Sequence, residues 1–379
     1  MKGSRVYFIT PLTISLSLIA IFLISFMITY AVNSNEPYSS LDKVVVIDAG
    51  HGGIDAGANR DGILEKDINL AIAKELARFL NRGNINVVMT RQEDRLYQDD
   101  RNKDIVNRVK IVEDNKADIL VSVHVNSFPS SQSFGGQTFY NPGSDEGKKL
   151  ASAIQEKLIE IQPENYRKIK SAPYYILRKS NVPAVIVEVG FISNPTDVKR
   201  MTDPKEQRII AQGIGEGVIN YFNNNLHLLP TEKSVLASRE DKSNQIKLYY
   251  GGIDGFRESL VEEKLKIESL EISQEDNRSS LEEIAFLSIN KLIAGPTEYN
   301  SLSLVPKDTQ LISLAIEDGI AYVDFSQEFS SHNLGGGSEW LKIKSITKTL
   351  TQIEGIDKVQ ILVEGWPYKT EHFYLDEAL

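Results

Sequence analysis

The chain begins with one long apolar run and then alternates short apolar runs with amphipathic stretches. After Lys2 and Arg5, the segment Val6–Val32 carries no charged residue. It exceeds the roughly 20 apolar residues that cross a bilayer, and "TYAVNS" at its end matches a secretion-signal cleavage site poorly. The flanking basic residues place the N-terminus in the cytoplasm. We therefore predict a single-pass membrane anchor over residues 1–33 and an extracytoplasmic remainder, with a cleaved signal and a secreted protein as the alternative.

After a polar linker at 34–42, residues 43–226 alternate apolar strand patterns with helical spacing. Strands are predicted at Lys43–Asp48, Ile85–Thr90, Ile119–His124, Gly136–Asn141, Tyr174–Leu177 and Ala184–Glu188, and helices at Glu65–Arg82, Arg101–Asn115, Asp145–Ile161 and Pro204–Phe222. Such alternation favours the α/β class. The expected architecture is a twisted, mostly parallel sheet flanked by helices.

A second polar linker at 227–244 precedes a smaller α/β domain at 245–379. Its predicted strands are Ile246–Tyr250, Gln310–Ile316, Ile320–Phe325 and Val359–Val363, and its predicted helices are Leu281–Ile293 and Trp340–Ile353. The "EDG" at 317–319 is typical of a hairpin turn, and the "GGG" at 335–337 indicates a flexible turn or the start of a helix. Because the linker offers few apolar residues to bury, we expect the two halves to fold separately.

Charge and cysteine content exclude several functions. The net charge of −10 argues against a general nucleic-acid binder. The negative surplus lies in residues 226–379, which carry 15 basic and 26 acidic residues, whereas residues 41–225 carry 25 of each sign. An acidic C-terminal part favours a protein or a neutral glycan as its ligand over an anionic polymer. The absence of cysteine excludes disulfides and thiolate metal ligands.

Polar side chains stand at the ends of the predicted strands, where ligands collect in open α/β sheets. His51 lies in a glycine-rich loop after the first strand, Glu65 opens the first helix, and His124 closes the third strand. Two imidazoles and one carboxylate suit a catalytic zinc, which keeps a fourth position for water and lowers the pKa of that water. Glu188 follows the apolar "AVIV", where an unpaired charge is costly. We predict that Glu188 is the general base.

Two further polar residues have open roles. Asn126, two residues after His124, is expected either to bind substrate or to be a turn residue. Asp48 is expected either to support a zinc-binding histidine from outside the ligand set or to hold the glycine loop.

The order of these motifs resembles the zinc-dependent N-acetylmuramoyl-L-alanine amidases of the amidase-3 family. The matching stretches are "VVVIDAGHGGIDAGA", "EKDINLAIAKEL", "VVMTRQED", "DILVSVHVN" and "VPAVIVEVGFISNPTD". The resemblance implies that His51, Glu65 and His124 bind Zn²⁺ and that Glu188 is the catalytic base. The implied reaction is hydrolysis of the amide between N-acetylmuramic acid and L-alanine in peptidoglycan. Some relatives carry a helix that blocks the zinc site, and the segment from His124 to Gly135 is too short for one.

The second half resembles the GerMN domain of germination and sporulation proteins. The matching stretches include "KLYYGG", "LIAGPTEYNSLSLVPKDTQL", "EDGIAYVDFSQEF" and "VQILVEG". The resemblance implies a sporulating cell and a binding or assembly role, with a sporulation protein as the expected partner. Because no second histidine lies near His332 or His372, we interpret both as surface or packing residues.

Two alternatives to the amidase remain open. One is another zinc enzyme of peptidoglycan, a peptidase or a deacetylase. The other is a wall-binding or sporulation scaffold that keeps the fold without turnover. The intact set of His51, Glu65, His124 and Glu188 argues against the scaffold.

Overall fold

The structure is a computed structural model, and it describes residues 43–223, 245–254, 257–266, 280–298, 301–331, 335–370 and 372–379. The predicted anchor Val6–Val32, the linkers at 34–42 and 227–244, and His332 lie outside the described residues. Within the described ranges, no helix has both the length and the apolar character needed to span a bilayer.

A six-stranded sheet forms the centre of the N-terminal domain, in the spatial order β4-β1-β5-β8-β6-β7. All neighbouring pairs are parallel except β6 with β8, which confirms the mostly parallel sheet. Its strands are β1 (Val44–Ala49), β4 (Asn86–Met89), β5 (Ile119–Asn126), β6 (Gln137–Tyr140), β7 (Lys170–Ser171) and β8 (Ala184–Phe191), and a small hairpin pairs β2 (Asn59–Arg60) with β3 (Ile63–Leu64). The carboxyl ends of β1, β5 and β8 therefore lie side by side.

Helices cover both faces of this sheet because successive side chains of each strand point to opposite faces. Val45 and Ile47 of β1 pack with the helices α1 and α6, whereas Val46 packs with α2 on the other face. The helices are α1 (Glu65–Arg82), α2 (Arg101–Asp114), α3 (Asp145–Glu160), α4 (Tyr175–Lys179), α5 (Pro195–Thr202) and α6 (Pro204–Phe222). The predicted bounds of α1 and α6 agree with the structure residue for residue.

One predicted strand, Tyr174–Leu177, is wrong. The chain forms the short helix α4 there, and the edge of the sheet is taken by β7. A four-residue apolar run does not distinguish a strand from a buried helical turn by periodicity. The backbone N–H of Tyr175 donates a 2.9 Å hydrogen bond to the carbonyl of His372 in the C-terminal domain. A partner almost 200 positions away in the chain thus contributes to the local conformation.

The described part of the C-terminal domain combines a four-stranded sheet, a long hairpin and two α-helices. The sheet order is β11-β12-β13-β14, and β9 pairs antiparallel with β10. The elements are β9 (Gln245–Asp254), β10 (Arg257–Lys266), α7 (Ser280–Ala294), β11 (Leu311–Glu317), β12 (Ile320–Phe325), α8 (Gly336–Thr351), β13 (Lys358–Val363) and β14 (Trp366–Pro367). Asp318 and Gly319 both have positive φ in the predicted turn between β11 and β12. The "GGG" stretch starts α8, which begins four residues before its predicted start.

The two domains pack against each other, which the polar linker did not predict. Apolar side chains from both domains share one continuous buried cluster. Tyr174 stacks on Phe373 with ring centroids 4.7 Å apart. Arg167 forms a bidentate ion pair with Glu258 of β10, with both N–O distances 2.7 Å and both side chains buried. The interface is therefore partly apolar and partly built on a desolvated ion pair.

Replacing Glu258 with alanine is expected to lower the free energy of unfolding by about 3–5 kcal/mol, because the substitution leaves the Arg167 charge buried without this partner. Urea unfolding of the purified chain measures the change. Glu262→Ala on the same strand is the control, because Glu262 pairs with Lys247 at 3.3 Å on the surface, where such a pair contributes about 0–1 kcal/mol. Equal losses in the two variants would contradict the assigned role of the buried pair.

Candidate metal centre and active site

His51 is held in a strained loop that directs its ring toward the carboxyl edge of the sheet. Its φ of 61° is left-handed, and the following Gly52 has a φ of 142° that favours glycine. A Cβ at Gly52 would overlap the carbonyl of Arg95. The Nδ1 atom lies 2.9 Å from Asp55, and Arg101 lies 3.1 Å from the other oxygen of that carboxylate. This contact leaves Nε2 to face the site, 3.2 Å from Glu65 Oε1.

Glu65 is a buried carboxylate at the first residue of α1. Its Oε2 accepts a 2.8 Å hydrogen bond from the backbone of Ala58, and its Oε1 accepts one of 2.9 Å from the backbone of Val125. Burial alone would raise the pKa of Glu65, but the charges and hydrogen bonds of His51 and His124 outweigh it and hold the pKa well below its usual range. The residue is therefore an ionised ligand candidate.

His124 lies on β5, next to the loop that carries His51. Its Nδ1 is 3.2 Å from Glu65 Oε1. The ring fits only because Gly50 has no side chain, since a Cβ there would overlap the imidazole. The structure thus brings together His51, Glu65 and His124, the three side chains for which the sequence predicts zinc binding.

Asp48 holds the glycine loop, which is the second of its two predicted roles. It accepts hydrogen bonds from Thr90 at 2.7 Å, Arg108 at 2.6 Å and Ser122 at 2.5 Å. Arg108 in turn donates to the carbonyls of Ala49 and His51. Burial opposes ionisation of Asp48, but Arg108 and these hydrogen bonds keep its pKa below the ordinary value.

Glu188 lies opposite His124 in the register of β5 and β8. It is fully buried, and neither carboxylate oxygen accepts a hydrogen bond from any of the described residues. Burial first, and then the negative charge of Glu65, raise the pKa of Glu188 to about 8. A carboxyl group in this environment is suited to take up and release protons near neutral pH.

A fourth side chain, His372, joins the cluster from the C-terminal domain, and its interpretation as a surface residue is wrong. His372 is 5% exposed, and its Nε2 lies 3.4 Å from His124 Nδ1. Ligand atoms of His51, Glu65, His124 and His372 all lie within 4.8 Å of one another. No spacing rule links a histidine near the C-terminus to a glycine loop more than 300 residues earlier. The chain's low histidine count of five was the only available signal.

Three of the separations among these ligand atoms suit a tetrahedral zinc. For zinc with ligands at about 2.0–2.1 Å, neighbouring ligand atoms in a tetrahedron are about 3.3–3.4 Å apart. The observed separations are 3.2 Å for His51–Glu65, 3.2 Å for His124–Glu65 and 3.4 Å for His372–His124. The donor set of imidazoles and a carboxylate is also one that zinc accepts. The cluster is therefore compatible with a metal site.

Asn126 lies at the end of β5 under the start of α8. It is 2% exposed, and its side-chain oxygen accepts a 2.8 Å hydrogen bond from the backbone of Ser127. A Cβ at Gly335 or Gly337 would overlap Asn126. The C-terminal domain thus covers a residue for which substrate binding was one of the two predicted roles.

A cavity of about 520 Å³ adjoins the cluster and is lined by both domains. His51, Asp55 and Arg101 line it from the N-terminal domain, and Glu339 and His372 line it from the C-terminal domain. Of the four clustered residues, His51 and His372 line this cavity.

The comparisons with known proteins agree with both resemblances. Residues 45–220 match the N-acetylmuramoyl-L-alanine amidase family, and residues 247–369 match a family described as sporulation and spore germination. The germination-specific N-acetylmuramoyl-L-alanine amidase of Bacillus subtilis is 30% identical over 219 residues, covering 54% of this chain and 92% of that protein. The amidase LytC of the same organism is 33% identical over 182 residues, covering 48% of this chain and 36% of that protein.

Among solved structures, the CwlD amidase from Clostridioides difficile in complex with the GerS lipoprotein is 36% identical, with a TM-score of 0.47, and the match covers 48% of this chain and 99% of that one. The germination-specific amidase of Bacillus subtilis is 30% identical and is matched over 92% of its length, and this match assigns the N-terminal domain to the amidase family. The chain belongs to the N-acetylmuramoyl-L-alanine amidase family and joins its amidase domain to a sporulation and spore germination domain.

Proposed function

We propose that this amidase uses zinc held by His51, Glu65 and His124, and that it acts on peptidoglycan from the outer face of the membrane in sporulation or germination. The observation that carries the zinc assignment is the convergence of these three buried side chains beside the buried Glu188. The anchor rests on the uncharged run Val6–Val32. The sporulation role rests on the match of residues 247–369 and on the germination-specific relative.

In amide hydrolysis, the metal, the general base and the residues that hold the ligands have separate roles. Zinc, when bound, supplies a Lewis acid that polarises the amide carbonyl and makes water nucleophilic at neutral pH. Glu188 accepts the proton of the attacking water and delivers it to the departing L-alanine nitrogen. Asp55 fixes the ring of His51, and Asp48 with Arg108 fixes the loop that carries it. These contacts hold the ligands in place before substrate arrives.

Mass spectrometry of digested peptidoglycan tests the bond that is cleaved. The amidase releases stem peptides with free L-alanine amino termini. New D-amino-acid ends would indicate a peptidase instead, and digests without any product would indicate the scaffold.

Replacing His51 or His124 with alanine is expected to abolish zinc binding and turnover together, because each residue would supply one of the three predicted ligands. Elemental analysis of the purified variants measures zinc per chain, and release of stem peptides measures turnover. Glu65→Ala should behave in the same way. Glu75→Ala on the same helix is the control, since Glu75 pairs with Arg78 on the surface. Full zinc content in the histidine variants would show that the ligand assignment is wrong.

Replacing Glu188 with glutamine preserves its shape but removes its capacity to accept a proton. We expect zinc to be retained and turnover to fall by about 10²–10⁴-fold, the usual contribution of a general base. Glu160→Gln, at an exposed position of α3, should leave both unchanged. If Glu188→Gln loses zinc, Glu188 is a ligand and the base must be sought elsewhere.

The anchor predicts that the protein stays in the membrane fraction after washes with high salt and with alkaline buffer. A hydrophobic span resists both treatments, whereas a charge-held protein is released. Immunoblotting of washed membranes, with N-terminal sequencing of the mature protein, makes the measurement. A mature protein that begins near residue 34 and is found in the medium would replace the anchor by a secretion signal.

A further inference from the structure

His372 is placed as a ligand would be, on the side of the cluster that faces the C-terminal domain. Its ring centroid lies 5.0 Å from that of His124 and 5.4 Å from that of His51. Its Nε2 points at the group, 3.4 Å from His124 Nδ1. The separation equals a ligand-to-ligand edge of a zinc tetrahedron, about 3.3–3.4 Å.

A carboxylate orients His372 in the way that metal-binding histidines are usually oriented. Its Nδ1 lies 3.0 Å from Glu339 Oε2, just as His51 Nδ1 lies 2.9 Å from Asp55. Histidines that bind metal almost always donate their second ring N–H to a carboxylate, a carbonyl or water. The C-terminal domain thus supplies both an imidazole and the group that fixes its ring.

Glu339 is itself held by buried partners in its own domain. The Tyr368 hydroxyl donates to it at 2.6 Å, and Lys342 donates to that hydroxyl at 2.9 Å and to the Phe329 carbonyl at 2.8 Å. Burying these polar groups costs free energy unless all are paired. A chain of paired polar groups that ends on His372 Nδ1 fixes the orientation of the ring, which simple packing does not require.

The segment that carries His372 is seated on the amidase domain. The His372 carbonyl accepts a 2.9 Å hydrogen bond from the backbone of Tyr175, and Phe373 stacks on Tyr174. At the start of α8, Ser338 donates a hydrogen bond to the carbonyl of Ser127, beside the covered Asn126. The C-terminal domain therefore contacts the amidase domain both at the four-residue cluster and at the carboxyl end of β5.

A fourth protein ligand changes what the site can do. Catalytic zinc sites use three protein ligands and keep one position open, whereas zinc sites with four protein ligands are closed and structural. We propose that His372 is the fourth metal ligand, supplied by the C-terminal domain of the same chain, and that it keeps the amidase latent until this domain withdraws. The inference deepens the proposed zinc amidase function and depends on it.

The test compares the full chain with its His372→Ala variant in two measurements. X-ray absorption at the zinc edge counts imidazole ligands, and the expected count falls from three to two. Hydrolysis of a soluble peptidoglycan fragment at saturating zinc should rise on the order of tenfold or more, because turnover follows the fraction of molecules with an open site. His372 lines the cavity beside the cluster, so its removal enlarges that cavity next to the remaining ligands.

Two further variants separate ligand loss from general damage. Glu339→Gln keeps His372 but removes the group that orients it, and we expect zinc affinity to fall by about 10–100-fold, the usual cost of losing such a partner. Competition with a chromophoric chelator measures this affinity. Glu377→Gln, an exposed carboxylate five residues after His372, is the matched control and should change neither affinity nor turnover.

The outcomes distinguish this inference from the function on which it rests. An unchanged imidazole count or unchanged turnover in His372→Ala, with zinc bound and the amide cleaved, overturns the latency and leaves the zinc amidase intact. If neither protein binds zinc or cleaves the amide, the proposed function itself fails. A zinc affinity that is unaffected by Glu339→Gln would also count against a fourth ligand.

Discussion

The buried carboxylate of Glu65 is the constraint around which the site is arranged. An ionised group taken out of water is costly unless it is paired and hydrogen-bonded. Two backbone N–H groups and two imidazoles surround this one. To bring them there, the chain needs the left-handed loop at His51, a residue without a side chain at Gly50, and parallel pairing of β1 with β5. The backbone conformation at the carboxyl edge of the sheet therefore satisfies the requirement that the buried Glu65 carboxylate be paired and hydrogen-bonded.

The same neighbourhood gives two buried glutamates opposite behaviour. His51, His124 and two backbone N–H groups surround Glu65 and hold its pKa well below the usual range. Burial and the charge of Glu65 raise the pKa of Glu188 to about 8, and its carboxylate accepts no hydrogen bond from the described residues. Environments that separate the pKa values of paired carboxyl groups also separate their roles. A permanently ionised carboxylate suits a metal, and one that titrates near neutral pH suits proton transfer. The residue type is identical, and the neighbouring charges together with the hydrogen bonds decide the difference.

Local patterns in the sequence predicted the site where the chemistry is local. Glu65 starts α1, His51 follows β1, and His124 and Glu188 lie in the carboxyl-terminal halves of β5 and β8. Apolar periodicity places such positions well. Tyr174–Leu177 was predicted wrongly because a four-residue apolar run fits either element. His372 was misread for a deeper reason, since its role depends on the packing of a second domain. The acidic surplus of that domain predicted a protein or a neutral glycan as its ligand, but it says nothing about the face that docks on the amidase domain.

Docking of the C-terminal domain and zinc binding are energetically coupled if His372 is a ligand. Linkage between two binding events is reciprocal. The docked domain therefore stabilises bound zinc by the same free energy by which bound zinc stabilises docking of the domain. The interface already carries the desolvated Arg167–Glu258 pair, which leaves two charges to be rehydrated when the domains separate. Since rehydration of charged groups is favourable, such a pair makes separation less costly than an equal apolar area would. An interface of this composition can hold a latent state firmly and still release it.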